Sequence, residues 1–219
     1  MNQATLIISA TAGIPLGISA NYLTRILVKK RSCDSYSVWY INKSCSTVLW
    51  ALCFSAYYAL AALLLENINQ LIPVAILFFA CSCISAVDAL IRKIPNSMLL
   101  IILANTVLYV ILNYATEDIW NMFLSMLIGV LVFSIPSYFG KYIGWGDVKY
   151  AAVLALYLSL LGFCVSIIIM GASTAVYALL LKAKSKNNFK ETLKTSVPMG
   201  PFISFGVIIT AIVPLFYNI

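Results

Sequence analysis

The chain has 219 residues, of which 63% are hydrophobic and 10% charged, with a formal net charge of +7 and a mean hydropathy of +0.99. So few charges cannot cover the surface of a soluble domain, which is about 25% charged. The absence of histidine excludes Ser-His-Asp and Cys-His catalysis and HExxH zinc sites, all of which need imidazole.

Apolar runs long enough for a bilayer crossing, about 17–25 residues, recur along the chain. They predict helices near 5–24, 46–65, 71–91, 98–114, 121–139, 148–161, 163–181 and 197–217. The expected fold is all-α: a polytopic membrane helix bundle of about eight transmembrane helices in a single domain over 1–219. Helix one reads as a retained span, since Met1-Asn-Gln-Ala-Thr5 lacks a positive n-region. Within it, Pro15 and Gly17 predict a kink or a close helix contact. Between helices one and two lies a short loop, 25–45. Gly162 marks the expected turn between helices six and seven.

With the N-terminus outside, all 14 Lys and Arg residues fall in the loops and helix ends after helices one, three, five and seven. That bias sets those loops in the cytoplasm and both termini on the outer side. The Lys-rich segment 182–196 reads as a solvated cytoplasmic loop near anionic headgroups, and topology accounts for the positive charge without nucleic acid. Trp39, Tyr40, Trp120 and Trp145 read as interfacial anchors. The six cysteines contain no CxxC pair, so no metal site is expected.

Of seven carboxylates, Asp34, Glu66, Glu117, Asp118 and Glu191 lie in loops or turns. Asp88 does not. It sits about one turn before the basic end of an apolar run, in Ser85-Ala-Val-Asp88-Ala-Leu-Ile-Arg92-Lys93-Ile94-Pro95-Asn96, where a carboxylate is expensive to bury and marks function. An ion pair with Arg92, on the same face at i+4, is the structural alternative. Pro95 predicts a rigid turn and Asn96 a helix cap. Asp147 lies in Gly144-Trp-Gly146-Asp147-Val-Lys149; the glycines allow unusual backbone angles or close approach, and an Asp N-cap is the alternative.

Both aspartates fall at the cytoplasmic ends of spans, at one membrane depth. If helices three and six pack together, the carboxyls form a dyad in which one holds a proton while the other acts as base. Such a dyad activates water without histidine, metal or cofactor. The positive end of helix six favours the charge on Asp147 and leaves the shared proton to Asp88.

These two motifs resemble those of the type IV prepilin peptidases, polytopic GxGD-type aspartic proteases. Val197-Pro198-Met-Gly200-Pro201-Phe202 is similar to the family's start of the last helix, so the resemblance runs over about 88–217. Gly17, Asn21 and Arg25 match the first helix loosely. The resemblance implies that Asp88 and Asp147 are catalytic, with Pro95, Asn96, Gly144, Gly146, Lys149, Pro198, Gly200 and Pro201 supporting them. It also implies removal of leader peptides from type IV prepilin or pseudopilin precursors at the cytoplasmic face of the bacterial inner membrane. Long family members carry two CxxC pairs after the first helix and also methylate the new N-terminus. Cys33 and Cys45 form no such pair, so the likeness is to a short, peptidase-type member and does not extend to methylation. Two readings from other classes stand beside it: a small transporter or proton relay using the two aspartates, and a non-catalytic pilus-assembly subunit.

Overall fold

A computed structural model describes residues 3–31, 44–65, 67–113, 119–140, 144–184 and 198–213. The described residues form seven helices and no strand: α1 (Gln3–Arg31), α2 (Ser44–Leu64), α3 (Ile68–Ile91), α4 (Asn96–Leu112), α5 (Ile119–Gly140), α6 (Trp145–Lys184) and α7 (Gly200–Thr210). The all-helical expectation is borne out. Five of the helices, α1, α2, α3, α5 and α6, are long and apolar enough to cross a membrane, whereas α4 and α7 are shorter. Asp34, Trp39, Tyr40, Glu66, Glu117, Asp118 and Glu191, with most of the 25–45 and 182–196 loops, lie outside the described residues.

The packing is that of helices in lipid. Large apolar side chains face outward, among them Leu52, Leu63, Ile111 and Ile168, while Ala20, Asn21, Thr24 and Ser46 are buried. Without a hydrophobic drive between helices, small residues and hydrogen bonds hold them together. The α1–α2 seam shows both. A side chain at Gly13 or Gly17 would meet the backbone of Phe54–Ser55 or Trp50–Ala51 at 2.5–2.8 Å, so the close contact expected near Gly17 is present. Ser55 Oγ donates to Ala10 O at 2.8 Å, and Asn21 Nδ2 to Ser46 Oγ at 3.1 Å. Asn21 in turn accepts from Arg25 Nε at 2.9 Å.

Two helices organise the bundle. Helix α3 packs on α1, α2, α4 and α7, and α6 packs on α4, α5 and α7. The helices carrying the two aspartates therefore do not pack along each other; α4 and α7 connect them. The packing on which the sequence made the dyad conditional is thus replaced by a link through α7, which, though only 11 residues long, packs on both α3 and α6.

Helix α6 runs through the turn placed at Gly162, but its geometry breaks at Ser159, with φ 59° and ψ −179°. The break lies three residues earlier because Ser125 Oγ of α5 donates to Ser159 O at 3.0 Å, satisfying a carbonyl that the helix releases. Gly162 has only ordinary contacts there, with Leu158 at 3.4 Å.

Candidate functional site

The site is built where the C-terminal end of α3 meets the N-terminal ends of α6 and α7. Helix α3 stops at Arg92, which adopts the left-handed conformation at φ 52° and returns its N–H to Asp88 O at 2.9 Å. This αL ending satisfies a carbonyl of the last turn. Pro95 follows in extended backbone. Pro95, not Asn96, occupies the N-cap position of α4, with ψ 117° and no side-chain cap. Its carbonyl accepts from Met98 and Leu99 at 3.0 and 3.3 Å. The expected Asn96 cap is thus corrected by one position: proline's fixed φ already supplies the turn into the helix, and Asn96 becomes the first helical residue, exposed.

Asp88 is 5% exposed. Its Oδ2 accepts the Gly200 N–H at 2.9 Å, a bond that satisfies a carboxylate oxygen in an otherwise apolar place. Gly200 opens α7, and Pro201 stands in its first turn, where a missing N–H costs no helical bond. A side chain at Gly200 would meet Asp88 Oδ2, Cβ and Cγ at 2.8–3.0 Å. The glycine is there because the carboxyl lies against its Cα.

Asp147 stands in the first turn of α6, partly buried, and its Oδ2 accepts the Gly144 N–H at 3.2 Å. This is half of a capping box, in which a side chain in the first turn reaches back to the N–H ahead of the helix. Among the described residues no glycine has positive φ, so the unusual angles allowed for Gly144 and Gly146 are not used. Gly146 instead stands beside the first motif, where a Cβ would make ordinary contact with Ile94 Cβ at 3.4 Å. The second motif meets the first there. Asp147 is close enough for the charge of Asp88 to act on it. Each carboxyl sits at a helix N-terminus, Asp147 on α6 and Asp88 against α7, so the dipole that set Asp147 apart in the sequence acts on both.

The structure therefore brings together Asp88, Gly146, Asp147 and Gly200, with Ile94 as the contact between motifs. Pro95 is buried beside them, Pro198 and Pro201 are half-buried, and Gly144 and Lys149 are exposed. Arg31, at the end of α1, donates from Nη1 to Ile94 O at 3.2 Å. Lys29, Lys30, Arg31, Arg92, Lys93 and Lys149 thus gather at the aspartate end of the bundle, where Lys149 follows Asp147 on α6. Trp145 is 64% exposed, as an interfacial anchor would be.

Sequence reasoning missed Tyr150 and Ser204. Both are buried, and the Tyr150 hydroxyl lies 2.6 Å from Ser204 Oγ. Ser204 Oγ is also 2.8 Å from Gly200 O and 3.3 Å from Cys81 O. The available signal was spacing: Tyr150 is one turn after Asp147, and Ser204 one turn after Gly200. A groove of about 440 Å³ between α2, α3 and α7 runs beside this cluster, with Trp50, Phe54, Phe78, Ser85, Pro201 and Ser204 in its wall. Among the described residues no three Cys, Asp or Glu side chains gather as a metal-ligand set.

Residues 75–179 match the model of the type IV leader peptidase family. The matched segment holds both aspartates, the Pro95-Asn96 turn and the Gly144–Lys149 motif, and it stops before Pro198. No curated protein and no solved structure matches the chain. The resemblance drawn from the motifs is borne out by the family match, which fits a prepilin peptidase-type protein. Together with the apolar helices, it points to a multi-pass membrane protease.

Proposed function

We propose that the protein is a membrane-embedded aspartic endopeptidase that removes the leader of type IV prepilin-like precursors, with Asp88 and Asp147 activating a water. The observation that carries this reading is the approach of the two acids at one end of the bundle through the Gly146–Ile94 and Gly200–Asp88 contacts, within a segment matching a leader peptidase family. One carboxylate takes a proton from water as its oxygen attacks the scissile carbonyl, and the other carboxyl polarises that carbonyl. As the tetrahedral intermediate collapses, the C–N bond breaks and the departing nitrogen takes a proton from the dyad. The chemistry uses no metal or cofactor.

The topology in this proposal has about eight crossings in one domain, with both termini outside. The 37 residues of Trp145–Leu181 would extend about 55 Å as one helix, far beyond a hydrocarbon core of about 30 Å. The break at Ser159 supports counting them as two crossings. The gathering of basic residues at the aspartate end supports placing that end in the cytoplasm of a bacterial inner membrane. There a leader would meet the site while the apolar helix of its precursor lies in the bilayer. Pro95, Asn96 and Pro198 shape the turns beside the aspartates; Gly200 leaves space for the Asp88 carboxyl, Gly144 offers its N–H to Asp147, Gly146 lies against Ile94 and Pro201 stands in the first turn of α7; Lys149 marks the headgroup boundary. The proposal covers cleavage and does not extend to methylation of the product.

The test is cleavage of a pilin-type precursor by the purified protein in liposomes. A shortened product with a new N-terminus is expected. Proton flux without cleavage, across several precursors, would instead favour a two-aspartate relay.

A further inference from the structure

We infer that Tyr150 and Ser204 are positioning residues that hold the Gly200 N–H, and through it Asp88, in place relative to Asp147. The inference rests on the peptidase reading above and extends it to two residues that no motif includes.

Gly200 is held at both of its polar groups. Its N–H donates to Asp88 Oδ2 at 2.9 Å, and its carbonyl accepts from Ser204 Oγ at 2.8 Å. A serine hydroxyl has a single proton. With that proton directed to Gly200 O, the Tyr150 hydroxyl is the donor in the 2.6 Å contact with Ser204 Oγ. The chain of bonds thus runs from α6 to α7 and on to α3. Asp147 and Tyr150 lie one turn apart on α6, so the helix that carries one aspartate also fixes the turn that holds the other.

The pair also reaches α3 directly, since Ser204 Oγ lies 3.3 Å from Cys81 O and the Tyr150 side chain interacts with that of Cys81; the bond from Gly200 to Asp88 is the part of this link that ends on an aspartate. Tyr150 and Ser204 are 0% and 1% exposed. A hydroxyl pair in an apolar interior lowers stability unless it is fully bonded, and this pair is. Loss of the Tyr150 hydroxyl alone leaves Ser204 still donating to Gly200 O and the α6–α7 packing in place, while removing this one hydrogen bond from α6 to the first turn of α7.

The test uses Tyr150→Phe and Ser204→Ala in the full-length protein in liposomes, with a pilin-type precursor as probe. Tyr58→Phe serves as control, because Tyr58 is also buried and donates to a backbone carbonyl, Ala75 O at 2.9 Å, away from the aspartates. Misplacement of catalytic groups by an ångström costs up to about 100-fold in rate. Both site variants should therefore lose kcat on that order with KM unchanged, while the control retains wild-type kcat. The infrared carboxyl band of Asp88, assigned by its loss in D88N, should shift in both site variants and stay in place in the control. An unchanged kcat, or an unshifted band, would overturn the inference. Failure of the wild-type protein to cleave would overturn the peptidase reading instead, and the band would then decide the positioning role alone.

Discussion

Asp88 and Gly200 are 112 positions apart, yet the backbone N–H of one donates to the carboxyl of the other at 2.9 Å, with no space for a β-carbon between them. A short helix, α7, is thereby tied to the end of α3 through a carboxylate that the membrane would otherwise disfavour. The arrangement makes a backbone amide part of the aspartate site, and it assigns different tasks to two glycines that look alike in the sequence.

Gly200→Ala should abolish most activity, because the new methyl would lie 2.8 Å from Asp88 Oδ2 and must push the carboxyl aside. A loss on the order of 10- to 100-fold in cleavage rate is expected from a displacement of that size. Gly146→Ala should be far milder. Its methyl would make an ordinary contact with Ile94 at 3.4 Å. Cleavage rates of the two variants at matched protein levels check the contrast, and equal loss in both would contradict it.

The α1–α2 seam should respond to Gly17→Ala as an overpacked core does. The added methyl would face the Trp50 carbonyl oxygen at 2.6 Å and Ala51 Cα at 2.7 Å, backbone atoms that cannot turn away. Destabilisation of about 1–3 kcal/mol is expected, measured as the midpoint of thermal unfolding in detergent.

Ser159→Gly should raise stability. Serine at φ 59°, ψ −179° occupies a region that is essentially restricted to glycine and costs about 1–3 kcal/mol. The Ser125 bond is to the Ser159 carbonyl, which glycine keeps. A higher unfolding midpoint is the predicted result; a lower one would mean that the serine side chain is needed at the break.

Much of this architecture is legible in the sequence, because apolar runs and charge bias follow directly from the demands of a bilayer. The α1–α2 contact at Gly17 is readable for the same reason, since small residues in membrane helices mark close approach. What is hidden depends on residues distant in the chain. Nothing near Gly162 indicates that Ser125 would move the break to Ser159. The caps at Asn96 and Asp147 differ from expectation because proline replaces the first and Asp147 reaches back from inside the helix to Gly144. The linking role of α7 is the largest omission. Gly200 and Pro201 are visible as a motif, but the bonds that give them a task, to Asp88 and through Ser204 to Tyr150, exist only once three helices have met.

In the proposed mechanism two aspartates act together on a peptide bond. Its most direct test is co-expression of the protein with a pilin-type precursor, following leader removal by gel shift for wild type, D88N and D147N. Cleavage is expected from the wild type and from neither variant, with all three proteins present in the membrane at equal level. Cleavage surviving in D88N or in D147N would contradict it.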